Sequence, residues 1–387
     1  MKPTGPPRVI VVDDHPDEQR PLFRGATGAN FELVHPEEVE PGMLDEADLF
    51  LVDFVIDNWE AREKSRELGL KPKNGLALSA VLREHTHPED RPTGFAIHTG
   101  KPEALWLTPA EPRRHLIARA YNLEWVFLKS EPQLVVRQAV VLAGAIQALP
   151  ASWPGEDRAA AINNVQELLG LGSTTDHEPL AWLVPALTEV SHCRPPVTEL
   201  SIRSHGLVFL RWMLHRILPY PCFLMDSYRL AARVRIDHES LQTALAGPLG
   251  MALQPYLYKG VLAEFAGERW WRAGVEDFLW DLSAGASVPA AELRGKLSEI
   301  ATTKLLPAAS DNLIVCVDQD YRTLAKMHRP EDVVRIRPDD WPPFASQAWT
   351  TVKMARESPK LAAVVVSEDQ ERLTDGTLTD LLTGEEK

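Results

Sequence analysis

What most constrains this chain is a set of short, unbroken apolar runs, each closing on a polar residue. Arg8-Val-Ile-Val-Val-Asp-Asp14 ends on an acid pair, Asp48-Leu-Phe-Leu-Val-Asp53 on a lone acid, and Trp125-Val-Phe-Leu-Lys129 on a lysine. Gly94-Phe-Ala-Ile-His-Thr-Gly100 ends on a hydroxyl. Continuous Val/Ile/Leu/Phe runs, rather than clean alternation, predict parallel strands covered on both faces. Five strands are expected, over residues 8–14, 31–35, 48–55, 94–99 and 124–129. Between them Asp17–Gly25, Gly75–His85, Pro112–Asn122 and Pro132–Leu149 have helical character. Alternating strand and helix predicts a doubly wound α/β domain over 1–150, with ligands at the carboxyl ends of the strands. The polar residues that close the runs fall at those ends.

A length of 387 residues implies two or three domains. Ala151-Ser-Trp-Pro-Gly155 breaks the α/β pattern. Residues 151–307 read as mainly helical, with Ile202–Leu218, Asp226–Arg235, His238–Ala246 and Val275–Leu282 as helices. Residues 308–387 read as a small α/β or α+β element with an acidic tail. There Asn312–Val317, Val333–Ile336 and Leu361–Ser367 are expected strands, separated by Tyr321–His328 and Pro343–Ser358. The net charge of −14 argues against a generic nucleic-acid or anionic-membrane binder, so DNA is not the expected partner. Three cysteines without a CxxC pair, no apolar leader segment and no membrane-length run predict a cytoplasmic protein without a membrane partner.

A carboxylate attacks phosphorus only when a cation neutralises the charge that the two anions bring together. Asp13 and Asp14 are placed to supply metal-binding oxygens, and Asp53 to be both ligand and nucleophile. The backbone carbonyl of Val55 is a further candidate ligand. Mg2+ fits an all-oxygen set of this kind. Lys129 and Thr99 would hold phosphoryl oxygens.

Val11-Val-Asp-Asp-His-Pro16, Leu51-Val-Asp53, Ile97-His-Thr-Gly100 and Phe127-Leu-Lys129 together resemble the receiver domain of bacterial response regulators, over about residues 8–149. The resemblance implies a flavodoxin-like strand order and a phosphorelay in which a histidine kinase phosphorylates Asp53. It also implies that Thr99 and Phe127 move together as the switch. Gly75-Leu-Ala-Leu fits the start of the helix after the phosphorylation loop. The chain departs from the family pattern by a charged insertion at Glu60–Lys73, a long stretch at Lys101–Pro112, and Ser130-Glu-Pro132 where a proline normally follows the lysine directly. Lys101 occupies a place that influences phosphate lifetime in the family.

The output module matches no family in this reading, and protein interaction, with a downstream partner or a second copy, is its expected mode. Arg203, Arg211, Arg216, Arg229 and Arg233 form a possible anion site, with structural salt bridges as the favoured alternative. Arg269-Trp-Trp-Arg272 and Phe278-Leu-Trp280 read as core, or otherwise as an interface. Asp318 and Asp320 would mark a metal-dependent hydrolase or nuclease gated by the receiver. The favoured alternative is a turn in which Asp320 caps a helix at Tyr321–His328. A receiver-fold scaffold that is never phosphorylated is the third alternative.

Overall fold

The computed structural model describes residues 5–64, 72–86, 92–105, 113–150, 153, 157–172, 181–202, 206–310 and 312–374. The chain forms two compact units. The first comprises Met1–Glu178, Arg194–Pro219 and Lys259–Gly267, and the second Pro179–Cys193, Tyr220–Tyr258 and Glu268–Lys387. No helix among the described residues is long and apolar enough to cross a membrane.

The first unit carries β1 (Arg8–Val12), α1 (Pro16–Phe23), β2 (Asn30–Val34), α2 (Pro41–Glu46), β3 (Leu49–Asp53), α3 (Glu60–Lys64), α4 (Gly75–Glu84), β4 (Gly94–Thr99), α5 (Arg114–Ala120), β5 (Trp125–Leu128) and α6 (Pro132–Gln147). The strands form one parallel sheet in the order β2-β1-β3-β4-β5, the doubly wound sheet expected from the apolar runs. Its centre is dry because both faces are covered. Val9–Val12 and Leu49–Val52 are fully buried, and Phe50 stacks on Phe95 with centroids 5.4 Å apart. Leu78 and Leu82 of α4 and Ile117 of α5 join this core on one face. On the other face α6 buries Val135, Ala139, Leu142, Ala143 and Ile146, a stripe with helical spacing. The chain reverses direction across the sheet at β1, which lies between β2 and β3, so a crevice opens at the carboxyl ends of β1 and β3.

The rest of the first unit is helical. Arg158–Leu168 is capped by Asp157, whose carboxylate accepts from the amides of Ala159 and Ala160. The helix expected over Ile202–Leu218 is shorter and interrupted. Gly206 takes a left-handed turn (φ 66) against the Trp153 ring, where a side chain would collide. Leu207–Trp212 is α-helical, and Met213–Ile217 widens into a π turn.

In the second unit a helical core gathers Leu230, Val234, Leu241, Leu253, Trp270, Val275, Leu279 and Leu297. Trp270 and Trp271 are buried, whereas Trp280 is exposed. A smaller core holds Val317, Val334, Ile336, Ala348, Ala355 and Leu361. Three expectations fail there. Tyr321–His328 is not a helix: Thr323–His328 is a strand antiparallel to Ile314–Val317. The cause is Asp318, whose carboxylate accepts from the amides of Asp320 and Arg322 (2.8 and 2.9 Å) and so forms a tight turn with Tyr321 left-handed at φ 59. Asp320 therefore caps no helix. Nor is Leu361–Ser367 a strand. Ser358 caps a helix at Pro359–Ala362, and Val365 makes a single bridge to Ile336. The strand that does pair with Val333–Ile336 is Ala348–Thr351, inside the Pro343–Ser358 segment expected to separate strands, and a helix follows it at Val352–Glu357.

Candidate functional site

The carboxyl ends of β1, β3, β4 and β5 bring the predicted residues to one place. β1 delivers Asp13 and Asp14 just before α1, which Pro16 starts at its first turn. Asp53 is the last residue of β3. Thr99 is the last residue of β4, and Lys129 follows β5, its amide donating to the Thr99 carbonyl (2.8 Å). Asp13, Asp14 and Asp53 are buried, and each offers a carboxylate oxygen within 4.8 Å of the others. They are the only group of three or more potential metal ligands among the described residues.

Each acid is held by different partners. The Lys129 ammonium donates to Asp13 Oδ2 (2.9 Å) and Asp53 Oδ2 (2.7 Å), tying β1 and β3 to the loop after β5. Asp13 Oδ1 accepts from the His15 amide at 2.9 Å. Asp14 Oδ2 accepts from the amides of Asp57 (2.8 Å) and Asn58 (2.7 Å), which fixes the loop that leaves β3. Val55 contributes its backbone amide as a hydrogen-bond donor to Asp53. Gly75 sits so near that an added Cβ would lie 1.9 Å from the Asp53 carbonyl oxygen, so only glycine lets α4 start there. In the expected insertion, the Arg62 guanidinium donates to the carbonyls of Ile56 (2.8 Å) and Pro72 (3.3 Å), bridging its two ends. Residues 65–71 lie outside the described set.

The electrostatics are unbalanced. Burial pushes the Asp53 carboxyl up to about 6, although its hydrogen bond from Lys129 works against the rise; the charge on Asp13 adds to it. Burial by itself would lower the Lys129 ammonium, yet the bonds to Asp53 and Asp13 outweigh it and raise the group above its ordinary value. Among the described residues three buried carboxylates face one ammonium, an excess of two negative charges. A divalent cation would cancel that excess, and the all-oxygen donor set suits a hard ion. The cluster could therefore bind a metal ion.

Thr99 is buried, and its hydroxyl accepts from the Lys101 amide (2.9 Å), a bond that leaves its proton unused. Lys101 itself is exposed. Phe127 is buried and pairs in register with His98, next to Thr99. Pro132 begins α6, and Glu131 before it binds Arg114 at 2.6 Å. Residues 106–112 of the second long stretch lie outside the described set.

The arginine set does not form one site. The Arg211 guanidinium holds Glu124 (Nε–Oε1 2.8 Å) and Asn122 (2.5 Å), both in the first unit. In the second unit Arg229 pairs with Asp226 and Arg233 with Glu276. Arg216 lines a cavity together with Arg211. Arg203 lies outside the described residues. Asp318 is occupied in its turn, and Asp320 faces Lys360 at 3.9 Å.

Glu124 and His98 are among the buried polar groups of the first unit that sequence reasoning missed. Glu124 is wholly buried, accepting from the Phe95 amide and from Arg211. His98, in the middle of the sheet, is wholly buried with neither ring nitrogen partnered, and burial lowers it to about 4. An odd polar residue inside an apolar run was the only signal available for either. Comparison with known protein families finds no matching family model, and comparisons with curated proteins and with solved structures likewise find no match.

Proposed function

We propose that the first 150 residues work as a phosphoryl-accepting receiver domain, with Asp53 as acceptor and a histidine kinase as donor. The observation that carries this reading is the buried cluster of Asp13, Asp14 and Asp53 with Lys129, two negative charges in excess at the crevice of a parallel sheet. Asp13, Asp14 and Asp53 would hold Mg2+, with the carbonyl of Val55 completing the protein ligands. Bound there, the ion supplies the positive charge that lets two anions meet. An Asp53 carboxylate oxygen attacks the phosphorus of a phosphohistidine. The bond from phosphorus to the imidazole breaks, and its electron pair returns to the ring. Lys129 then exchanges its contact with the Asp53 carboxylate for one with a phosphoryl oxygen. Thr99 donates a hydrogen bond from its hydroxyl to another phosphoryl oxygen, and Phe127 follows that movement.

The acylphosphate would shift a two-state equilibrium in the rest of the chain. A net charge of −14 favours protein interaction, with a downstream partner or a second copy, over DNA as the output. The test is to incubate the full chain with a small phosphodonor and Mg2+ and weigh it intact. One added PO3 group is expected, and none in Asp53→Asn. No gain in the wild type, or an unchanged gain in Asp53→Asn, would sink the reading.

A further inference from the structure

Apart from the carboxylate pocket, the first unit has a second polar cavity, of about 480 Å³, with the opposite charge. It is walled by Arg119 and Asn122 at the end of α5, by the Arg194–Pro196 turn with Glu199, and by Arg211, Trp212, His215 and Arg216. Four arginines line it. Among the described residues that line the cavity the one carboxylate is Glu199, and Glu124 holds Arg211, so arginines outnumber these acids by two. That excess is local and runs against a chain of net charge −14.

Two of the four arginines are not consumed by the fold. Among the described residues Arg119 and Arg194 have no ion-pair partner, and both are exposed. Arg194 enters the cavity rim from a left-handed backbone (φ 52), unusual for a residue with a side chain, just before Pro195-Pro196. Arg211 and Asn122 are tied to each other, the guanidinium donating to the Asn122 side-chain oxygen at 2.5 Å. His215 adds no charge. Burial lowers it to about 4, and its Nε2 lies 2.9 Å from the Glu124 carbonyl oxygen. Trp212, Pro195 and Pro196 give the cavity an apolar wall beside its cationic one.

We propose that this cavity is a binding site for a diphosphate group, free or borne by a nucleotide. Guanidinium forks match phosphate oxygens two at a time, and separate arginines around one cavity suit linked phosphates better than a single carboxylate. The volume falls within the range of small-molecule sites and is too small for a folded partner. The apolar wall has no role toward a bare anion, and a nucleoside would use it.

The experiment is calorimetric titration of the full chain with pyrophosphate and with ATP. EDTA is present, so that no cation bridges the ligand to the aspartate pocket. Saturable 1:1 binding is expected for at least one of them, weakened about tenfold or more in Arg119→Gln and in Arg194→Gln. Both positions are exposed, so the variants keep the wild-type circular dichroism spectrum and melting temperature. Tighter binding of ATP than of pyrophosphate identifies a nucleotide; equal binding identifies the free diphosphate. Absence of binding by both ligands, or wild-type affinity in both variants, overturns the proposal. So does tighter binding of a single-stranded oligonucleotide with the same arginine dependence, which would make the cavity part of a nucleic-acid surface.

Discussion

Charge is handled in opposite ways at the sheet edge of the first unit and on the second unit. At the sheet edge three carboxylates are buried around one lysine, and the pocket stays two charges short of neutral. In the second unit Arg233–Glu276 and Arg229–Asp226 are matched one to one, with partners within a few turns or on a neighbouring helix. Arg335 likewise chelates Asp369, which caps the Arg335 amide (2.7 Å) as well. Matched pairs near the surface are neutral devices that tune stability weakly. A buried imbalance costs stability and persists where something outside the chain is meant to correct it. The contrast identifies the sheet edge as the place to look for chemistry.

The sharpest way to break this comparison is Lys129→Met. It removes the ammonium that Asp13 and Asp53 share, and breaking a buried ion pair costs about 3–5 kcal/mol. Chemical denaturation at neutral pH should show a loss near the lower end, since the lysine is partly exposed, and added Mg2+ should recover much of it. A loss that Mg2+ does not touch would mean the pocket is no cation site. Gly75→Ala comes next. Its methyl group would meet the Asp53 backbone, so the loop must move, and overpacking of this kind costs about 1–3 kcal/mol. Phosphorylation should slow along with the stability loss, because the same shift displaces Asp53.

Acid sharpens the comparison from another side. His98 and His215 are held neutral by burial, each lowered to about 4, and burial lowers His115 too. A histidine with a depressed folded pKa contributes stability that is complete above its ordinary value near 6.5. That contribution is lost as pH falls toward 4. Asp53 has the opposite sign: its raised pKa means stability is lost as pH rises through about 6. His215→Gln separates the two. Its urea midpoint should fall less than that of the wild type between pH 7 and pH 5, by about 1–2 kcal/mol in free energy. The smallest effect is expected in the second unit. Arg233→Gln removes a half-exposed ion pair and should change stability by less than about 1 kcal/mol. A larger loss would show that the second unit also depends on concentrated charge.

Much of the first unit was legible because a parallel sheet buried on both faces leaves a plain trace, and its five strands lie within two residues of the apolar runs at either end. The hairpin at Ile314–His328 was not legible. Asp318 makes a turn there through its own side chain, and the same residues read equally well as a strand end and a helix cap. The shortened helix before Trp212 was hidden for a different reason. Only the approach of Trp153 makes a left-handed Gly206 necessary.

By itself the order of residues determined that apolar strands would alternate with helices, and that acids, a threonine and a lysine would stand at the strand ends. Backbone hydrogen bonding and hydrophobic burial act over short stretches, so their pattern is written locally. Tertiary structure alone decided that Lys129 spans Asp13 and Asp53, that Glu124 and His98 lose all contact with water, and that Arg119 and Arg194 wall one cavity with Arg211 and Arg216. Those outcomes depend on distances between residues far apart in the chain and on the desolvation their meeting imposes, and neither quantity exists until the chain has folded.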